Sequence, residues 1–366
     1  MKNLSKAERL RYARHIQLEG VGAVGQQTLK RSRVLIVGAG GLGSPCAMYL
    51  AAAGVGVIGL VDMDRVEMSN LQRQLLHSDD DVGKPKVESA KNALRRVNPY
   101  VEVHTHPVRL EKSNALEILR GYDLVVDGTD NFETRYLISD ACVTLGKPNI
   151  YGSLYQFEGQ VSVFDAAKGP CYRCLYPHPP KSFIPNCSDA GVLGVLPGLV
   201  GSIQANEALK VLLGIGTPLI GRLLHLDTLS LEFRSFRIKK NKSCIACGKA
   251  AHPEALVAPL ENRDELSPIE LKERLSVSSE LTLVDVRSAA ERSLAEIGGA
   301  NIPLGELPER IAELRGASQI VVLCHKGVRS KQAAELLRRS GFRNVASLAG
   351  GIDRWSVDVD PSVPRY

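Results

Sequence analysis

From Val34 to Val61 the chain carries no charged residue, yet Gly38, Gly40, Gly41, Gly43 and Pro45, then Gly54, Gly56 and Gly59, divide the run. Its length would span a bilayer. The interruptions predict instead a strand at Val34–Val37, a glycine turn, a helix near 44–53 and a second strand at 57–61, a buried βαβ unit. An amphipathic helix at about 4–17 precedes it. Beyond Asp62 the pattern gives a polar loop, a helix near 86–97, a β-leaning stretch at 100–109 and a strand at Asp123–Val126 that ends in "DGTDN". Apolar strands alternating with helical periods predict a doubly wound, Rossmann-like α/β sheet, whose ligands bind beyond the carboxyl ends of its strands.

The segment 169–191, "GPCYRCLYPHPPKSFIPNCSDAG", places five prolines between 170 and 185 and predicts an irregular, semi-rigid surface loop. A helical pattern resumes in "GVLGVLPGLVGSIQANEALKVLL", and the first domain is read as residues 1–248. Residues 249–265 mix Ala, Pro and charge without a period and are read as a linker. Residues 266–366 form a second, smaller α/β domain. It opens on a helix capped by Ser267, with Pro268 at its first position and Glu270 at its third. Strands at 281–286, 320–324 and 345–348 then alternate with helical patterns at 307–315 and 329–340.

Composition narrows this picture. A chain of 366 residues exceeds one hydrophobic core, and 44% hydrophobic with 23% charged residues is ordinary for a globular protein. The net charge of +6 comes from no single basic block, so no nucleic-acid footprint is indicated. The opening "MKNLSKAERLRYARHI" lacks the apolar core of a leader, which predicts a cytoplasmic protein without a membrane partner. In that compartment eight cysteines point to metal binding or catalysis rather than disulfides.

Gly38-x-Gly40-Gly41-x-Gly43 after a strand, with Asp62 at the end of the next one, has the full context of a nucleotide-binding turn. Glycines let the backbone approach phosphate, the helix N-terminus offers free N–H groups, and the carboxylate accepts from ribose hydroxyls. That turn alone does not choose between NAD(P) and ATP. Asn70, Arg73 and Lys86 follow, and two cations suit a triphosphate and its leaving pyrophosphate. Asp130, with Asn131 beside it in "DGTDN", is placed to hold Mg²⁺. Phosphate chemistry is therefore favoured over hydride transfer, and an NAD(P)-dependent oxidoreductase with an appended sulfur domain stays open as the alternative.

Cys171/Cys174 and Cys244/Cys247 form two CxxC pairs able to give one Zn²⁺ four thiolates, a closed and hence structural site. A redox CxxC is the rival reading. Cys46 and Cys142 fall in helical patterns and are expected in the core, while Cys187 is a lone cysteine in the proline-rich loop. Cys324 ends an apolar strand in "IVVLCHKGVRS", where loop N–H groups and a new helix N-terminus converge on the sulfur and favour the thiolate. Four residues separate it from Arg329, one fewer than a cysteine-based phosphatase loop needs, which suits a persulfide.

"GAGGLGS", "VDMD", "SNLQRQ", "GKPK", "DGTDN" and the cysteine pairs, over about residues 4–248, resemble the E1-like adenylyltransferases of the molybdopterin-synthase and thiazole-synthesis type. "LVDVRSAAE" with Asp285 and Arg287, "GGANIPL", the Cys324 loop and "NVASLAGGIDRW", over about 266–360, resemble rhodanese-type sulfurtransferases. One departure is "AEIGGA", where Glu296 and Gly298 stand in place of the usual His-Ile-Pro-Gly.

The first resemblance implies ATP-dependent adenylylation of the C-terminal Gly-Gly carboxylate of a ubiquitin-like sulfur-carrier protein. It implies that Gly41 and Asp62 hold the nucleotide, Asn70 and Arg73 contact phosphates, Lys86 stabilises the transferring charge and Asp130 binds Mg²⁺. It further implies Zn²⁺ on the four paired cysteines, a homodimer in which Arg14 reaches the partner's ATP, and in some relatives a covalent or resolving role for Cys187. The second implies a Cys324 persulfide, charged by a cysteine desulfurase or thiosulfate, that yields a thiocarboxylate. The resemblance leaves the carrier's pathway open among molybdenum cofactor, tRNA thiolation, thiamine and a specialised metabolite. A non-catalytic scaffold for a ubiquitin-like protein is the remaining alternative.

Overall fold

The computed structural model describes residues 4–178, 191–249, 251, 253, 265–277, 281–317, 319–342 and 345–366. Two compact units divide the chain, Met1–Pro259 and Leu260–Tyr366.

In the first unit β1 (Arg33–Val37), β2 (Val57–Val61), β3 (Glu102–His106), β4 (Leu124–Asp127) and β5 (Asn149–Tyr155) run parallel. Antiparallel β6 (Glu158–Phe164), β7 (Arg222–Asp227) and β8 (Glu232–Arg237) extend the sheet in the order β3-β2-β1-β4-β5-β6-β7-β8. Side chains alternate between two cores, as the two-residue period of a strand requires. Val34, Ile36, Ile58, Leu60 and Val126 pack with the helices Gly43–Ala53, Lys86–Val97 and Val195–Leu213, whereas Leu35, Val37, Val61 and Val125 pack with Ala115–Arg120 and Phe132–Leu145. Burial on both faces explains the uncharged run that opened the sequence. Because strand order reverses at β1, a crevice opens between the carboxyl ends of β1 and β4.

Several expectations change. The N-terminal helix is two short ones, Lys6–Arg11 and Ala13–Ile16, separated at Tyr12, whose buried hydroxyl accepts from Asn98 Nδ2 at 2.8 Å. A further helix, Gly22–Arg31, precedes β1. The proline-rich segment is not all surface loop: Tyr172–Leu175 is a short helix, and Cys171 and Tyr172 are buried. Its residues 179–190, with Cys187, lie outside the described residues. The edge strand β8 carried no clear signal, since every one of its residues is exposed and no apolar face alternates with a polar one.

The second unit is a five-stranded parallel sheet. Its strands β9 (Glu265–Leu266), β10 (Leu281–Asp285), β11 (Ala300–Asn301), β12 (Gln319–Leu323) and β13 (Val345–Leu348) stand in the order β11-β10-β12-β13-β9. Glu265, the last residue read as linker, pairs with Ser347 in β13, and residues 254–264 lie outside the described residues. The cap on Pro268–Val277 forms as expected: the Glu270 N–H donates to Ser267 Oγ at 3.2 Å, and the Ser267 N–H donates to Glu270 Oε2 at 2.8 Å. Among the described residues no helix is long and apolar enough to cross a membrane.

Candidate functional site

The glycine turn leaves β1 beside the end of β4. Gly38 has φ +93°, a region that L side chains rarely adopt, and a Cβ there would lie 2.7 Å from the Gly128 carbonyl oxygen. The two loops thus meet backbone to backbone. Gly43 starts the helix beneath the turn, where a Cβ would fall 1.9 Å from the Gly38 carbonyl oxygen. Among the described residues the N–H groups of Gly40 and Gly41 have no hydrogen-bond partner, and both residues face the crevice.

Asp62, Arg73, Lys86, Asp130 and Asn131 line the same crevice. Asp62 accepts from the Ala39 N–H at 2.8 Å and the Asp64 N–H at 2.9 Å. Burial pushes its carboxyl above the usual range, with the Lys86 ammonium opposing the shift. Lys86 is buried and donates to Asp64 Oδ2 at 2.9 Å. Arg73 Nη1 donates to the Ser69 carbonyl at 3.0 Å, which anchors the guanidinium on its own loop. Asn131 caps the helix Phe132–Leu145 by accepting from the Thr134 N–H at 2.9 Å, so the exposed Asp130 sits just ahead of a helix N-terminus. The crevice therefore gathers free N–H donors, two cations and an exposed carboxylate. That combination can cradle a polyphosphate with a bound cation.

Two predicted residues stand apart from it. Asn70 is buried beneath the loop, where its Oδ1 accepts from the Glu67 N–H at 3.3 Å and its Nδ2 donates to Ser69 Oγ at 3.4 Å. It shapes the turn that carries Arg73 and is not a wall of the crevice. Arg14 is exposed outside the crevice and donates to Gln17 Oε1 at 3.1 Å. Conversely, Gln74, Arg109, Thr129 and Arg135 line the crevice without having been singled out. Arg135 lies four residues after Asn131 on one helix face, a spacing that marks it in retrospect, and its Nη2 holds the Thr129 carbonyl at 3.0 Å. Thr129 in turn donates through Oγ1 to buried Asp127 at 2.6 Å, which fixes the loop bearing Asp130.

The four paired cysteines converge. Their Sγ atoms all lie within 4.8 Å of one another, with Cys171–Cys174 at 3.8 Å, Cys171–Cys244 at 3.5 Å and Cys174–Cys247 at 3.4 Å. Tetrahedral Zn²⁺ with bonds of about 2.3 Å needs edges of roughly 3.8 Å, so this set can hold the ion. Arg173, between the first pair, makes a part-buried bidentate bond to Asp140 at 2.7 Å to each oxygen. Cys46 and Cys142 are in the core, as expected.

In the second unit Cys324 follows β12 and is buried. The Gly327 N–H donates to its sulfur at 3.1 Å, and Ser330 Oγ lies 3.4 Å away. Gly327 holds φ +90°, closing the loop before the helix Val328–Arg339. Among the described residues one loop N–H, that of Gly327, donates to the sulfur, rather than a ring of them. Arg329 forms a bidentate pair with Glu291, which lowers that carboxyl to about 2. Asp285, the last residue of β10, forms a buried pair with Arg287 at 2.6 Å, and Glu296 of the departing "AEIGGA" segment accepts from Arg292 at 3.0 Å.

A phosphate-ready crevice in one unit and a loop-held cysteine in the other are the layout of a nucleotide-dependent transferase joined to a cysteine-based one. The ThiF family matches residues 12–246 and the Rhodanese-like domain residues 267–358, and the chain belongs to the ThiF family with a rhodanese-like domain after it. Over 381 residues it is 42% identical to the Mycobacterium tuberculosis protein named "Probable adenylyltransferase/sulfurtransferase MoeZ", covering 99% of this chain and 96% of that one. Over 259 residues it is 54% identical to the sulfur carrier protein adenylyltransferase of Thermus thermophilus, covering 69% of this chain and 96% of that one. A crystal structure of E. coli MccB with ATP superposes with a TM-score of 0.58 at 25% identity, covering 65% of this chain and 74% of that one. The chain is an enzyme, an E1-like adenylyltransferase and sulfurtransferase.

Proposed function

We propose that this enzyme adenylylates the C-terminal Gly-Gly carboxylate of a ubiquitin-like sulfur carrier and then converts it to a thiocarboxylate. The observation that carries the reading is the gathering of Arg73, Lys86 and Asp130 around unpaired N–H groups of the glycine turn. A carrier carboxylate oxygen attacks the α-phosphorus of ATP, the bond to the β-phosphate oxygen breaks, and pyrophosphate leaves. Arg73 and Lys86 stabilise the charge that builds on the phosphates, Asp62 holds the ribose and the glycine N–H groups orient the chain of phosphates. Mg²⁺, held by Asp130, supplies charge neutralisation at the phosphate oxygens when bound. Zn²⁺ on the four cysteines has a structural part.

In the second step the outer sulfur of a Cys324 persulfide attacks the acyl carbon and AMP leaves, giving an acyl disulfide. A thiol, for which Cys187 is the candidate, attacks Cys324 Sγ; the S–S bond breaks, the thiocarboxylate departs and a disulfide remains for an external thiol to reduce. A cysteine desulfurase persulfide or thiosulfate recharges Cys324. The enzyme works as a homodimer in the cytoplasm, with Arg14 reaching the partner's nucleotide. The test is exchange of radiolabelled pyrophosphate into ATP with Mg²⁺ and a panel of Gly-Gly-tailed carriers. Label in ATP with one carrier supports the reading; no exchange with any carrier, in material that binds ATP, defeats it.

A further inference from the structure

We propose that His77 is a positioning residue of the nucleotide site: its imidazole fixes the Ala39–Gly40 peptide and so aims the Gly40 N–H into the crevice. The inference rests on the ATP-binding reading above. His77 is 8% exposed and is held at both ring nitrogens. Nε2 lies 3.1 Å from the Ala39 carbonyl oxygen, and Nδ1 lies 2.8 Å from Ser89 Oγ. A carbonyl oxygen only accepts, so Nε2 carries the proton and donates. Nδ1 accepts from the Ser89 hydroxyl in the neutral ring and donates to its oxygen in the cation, which leaves the bond to Ala39 the same.

The other polar group of Ala39, its N–H, donates to Asp62 Oδ2 at 2.8 Å. With both ends gripped, the residue between Gly38 and Gly40 cannot turn. In a trans peptide the C=O and the following N–H point in opposite directions. Holding the Ala39 oxygen toward buried His77 therefore directs the Gly40 N–H the other way, and Gly40 lines the crevice with that N–H unpaired among the described residues. Ser89 lies three residues after Lys86 on the helix Lys86–Val97. One ring thus ties the glycine turn to the helix that bears the buried lysine, and it belongs to the same segment as Arg73 and Gln74, which also line the crevice.

The experiment compares His77→Leu, His77→Gln and Ser89→Ala with the wild-type full chain, measuring the ATP dissociation constant with Mg²⁺, kcat and KM for pyrophosphate exchange, and the melting temperature. Leucine has no donor and should weaken ATP binding about tenfold, the effect of losing one hydrogen bond. Glutamine can donate to the same carbonyl and should return affinity to within about threefold of wild type. Ser89→Ala keeps the donor but frees the ring, and should weaken ATP about threefold without a matching fall in melting temperature. Leucine and glutamine variants that bind alike, or a Ser89→Ala variant with unchanged affinity, overturn the assignment. Should His77→Leu not fold, the glutamine and Ser89→Ala variants decide the matter alone. A wild-type chain that binds no ATP defeats the adenylylation reading itself, a distinct result.

Discussion

After β1 the chain turns through Gly38–Gly43 into a helix, and after β12 it turns through His325–Gly327 into another. Both loops leave a central parallel strand at its carboxyl end, and both use a glycine at positive φ, +93° at Gly38 and +90° at Gly327. The outcomes differ because of what fills the turn. In the first, successive glycines leave N–H groups with nothing to bond, and the crevice stays open for a ligand to satisfy them. In the second, the strand delivers a sulfur into the turn itself, and the Gly327 N–H and the Ser330 hydroxyl already engage it. The same backbone device presents donors to a guest in one unit and holds a resident nucleophile in the other.

The comparison breaks most sharply if the two loops are not chemically separable. Asp130→Ala should lower pyrophosphate exchange at least about a hundredfold. Cys324→Ala should leave exchange within about twofold and abolish thiocarboxylate formation, followed by mass spectrometry of the carrier. Loss of exchange in the cysteine variant would mean that the loops act as one site.

Cys171→Ser tests whether the first unit needs its thiolates for more than folding. It should lose bound zinc by elemental analysis and lower the melting temperature by more than about 10 °C, since structural zinc contributes on the order of 10 kcal/mol to folding and each kcal/mol moves the midpoint of a unit this size by about 2–4 °C. Gly38→Ala forces a Cβ against the Gly128 carbonyl and a disfavoured φ, so a loss of about 1–3 kcal/mol and weaker ATP binding are expected from denaturation and titration. Gly327→Ala should cost a similar amount yet leave ATP affinity unchanged, which sharpens the contrast.

The smallest effect is electrostatic. Arg329 draws the Glu291 carboxyl from its ordinary 4.5 down to about 2. A depressed carboxyl stabilises the folded state above its unfolded pKa, and that stability is lost as pH falls from about 4.5 through about 2. Melting of Arg329→Ala should vary less across that window than melting of the wild type. The pair is partly exposed, so the difference will be modest.

Strands buried on both faces were legible in the sequence because glycines cut an uncharged run into the lengths of β1 and β2. The capping box at Ser267 and the two cysteine pairs were legible for a similar reason, since short spacing alone fixes their geometry. Strand β8 was not, because an exposed edge has no inner face to impose alternation. Asn70 reads from sequence as a polar residue near phosphates, and only the fold shows its amide bonding within its own turn. Arg135 was missed because a cation beside Glu133 and Thr134 in the first turn of a helix looks like a surface charge until the fold shows it buried.

The crossing of Gly38 over Gly128 also sets terms for anyone redesigning this catalyst. The crevice walls include side chains, Gln74 and Arg109 among them, that substitutions can change one at a time. Its corner is two stretches of main chain already in contact, and no library confined to one loop can widen it; both would have to be rebuilt together.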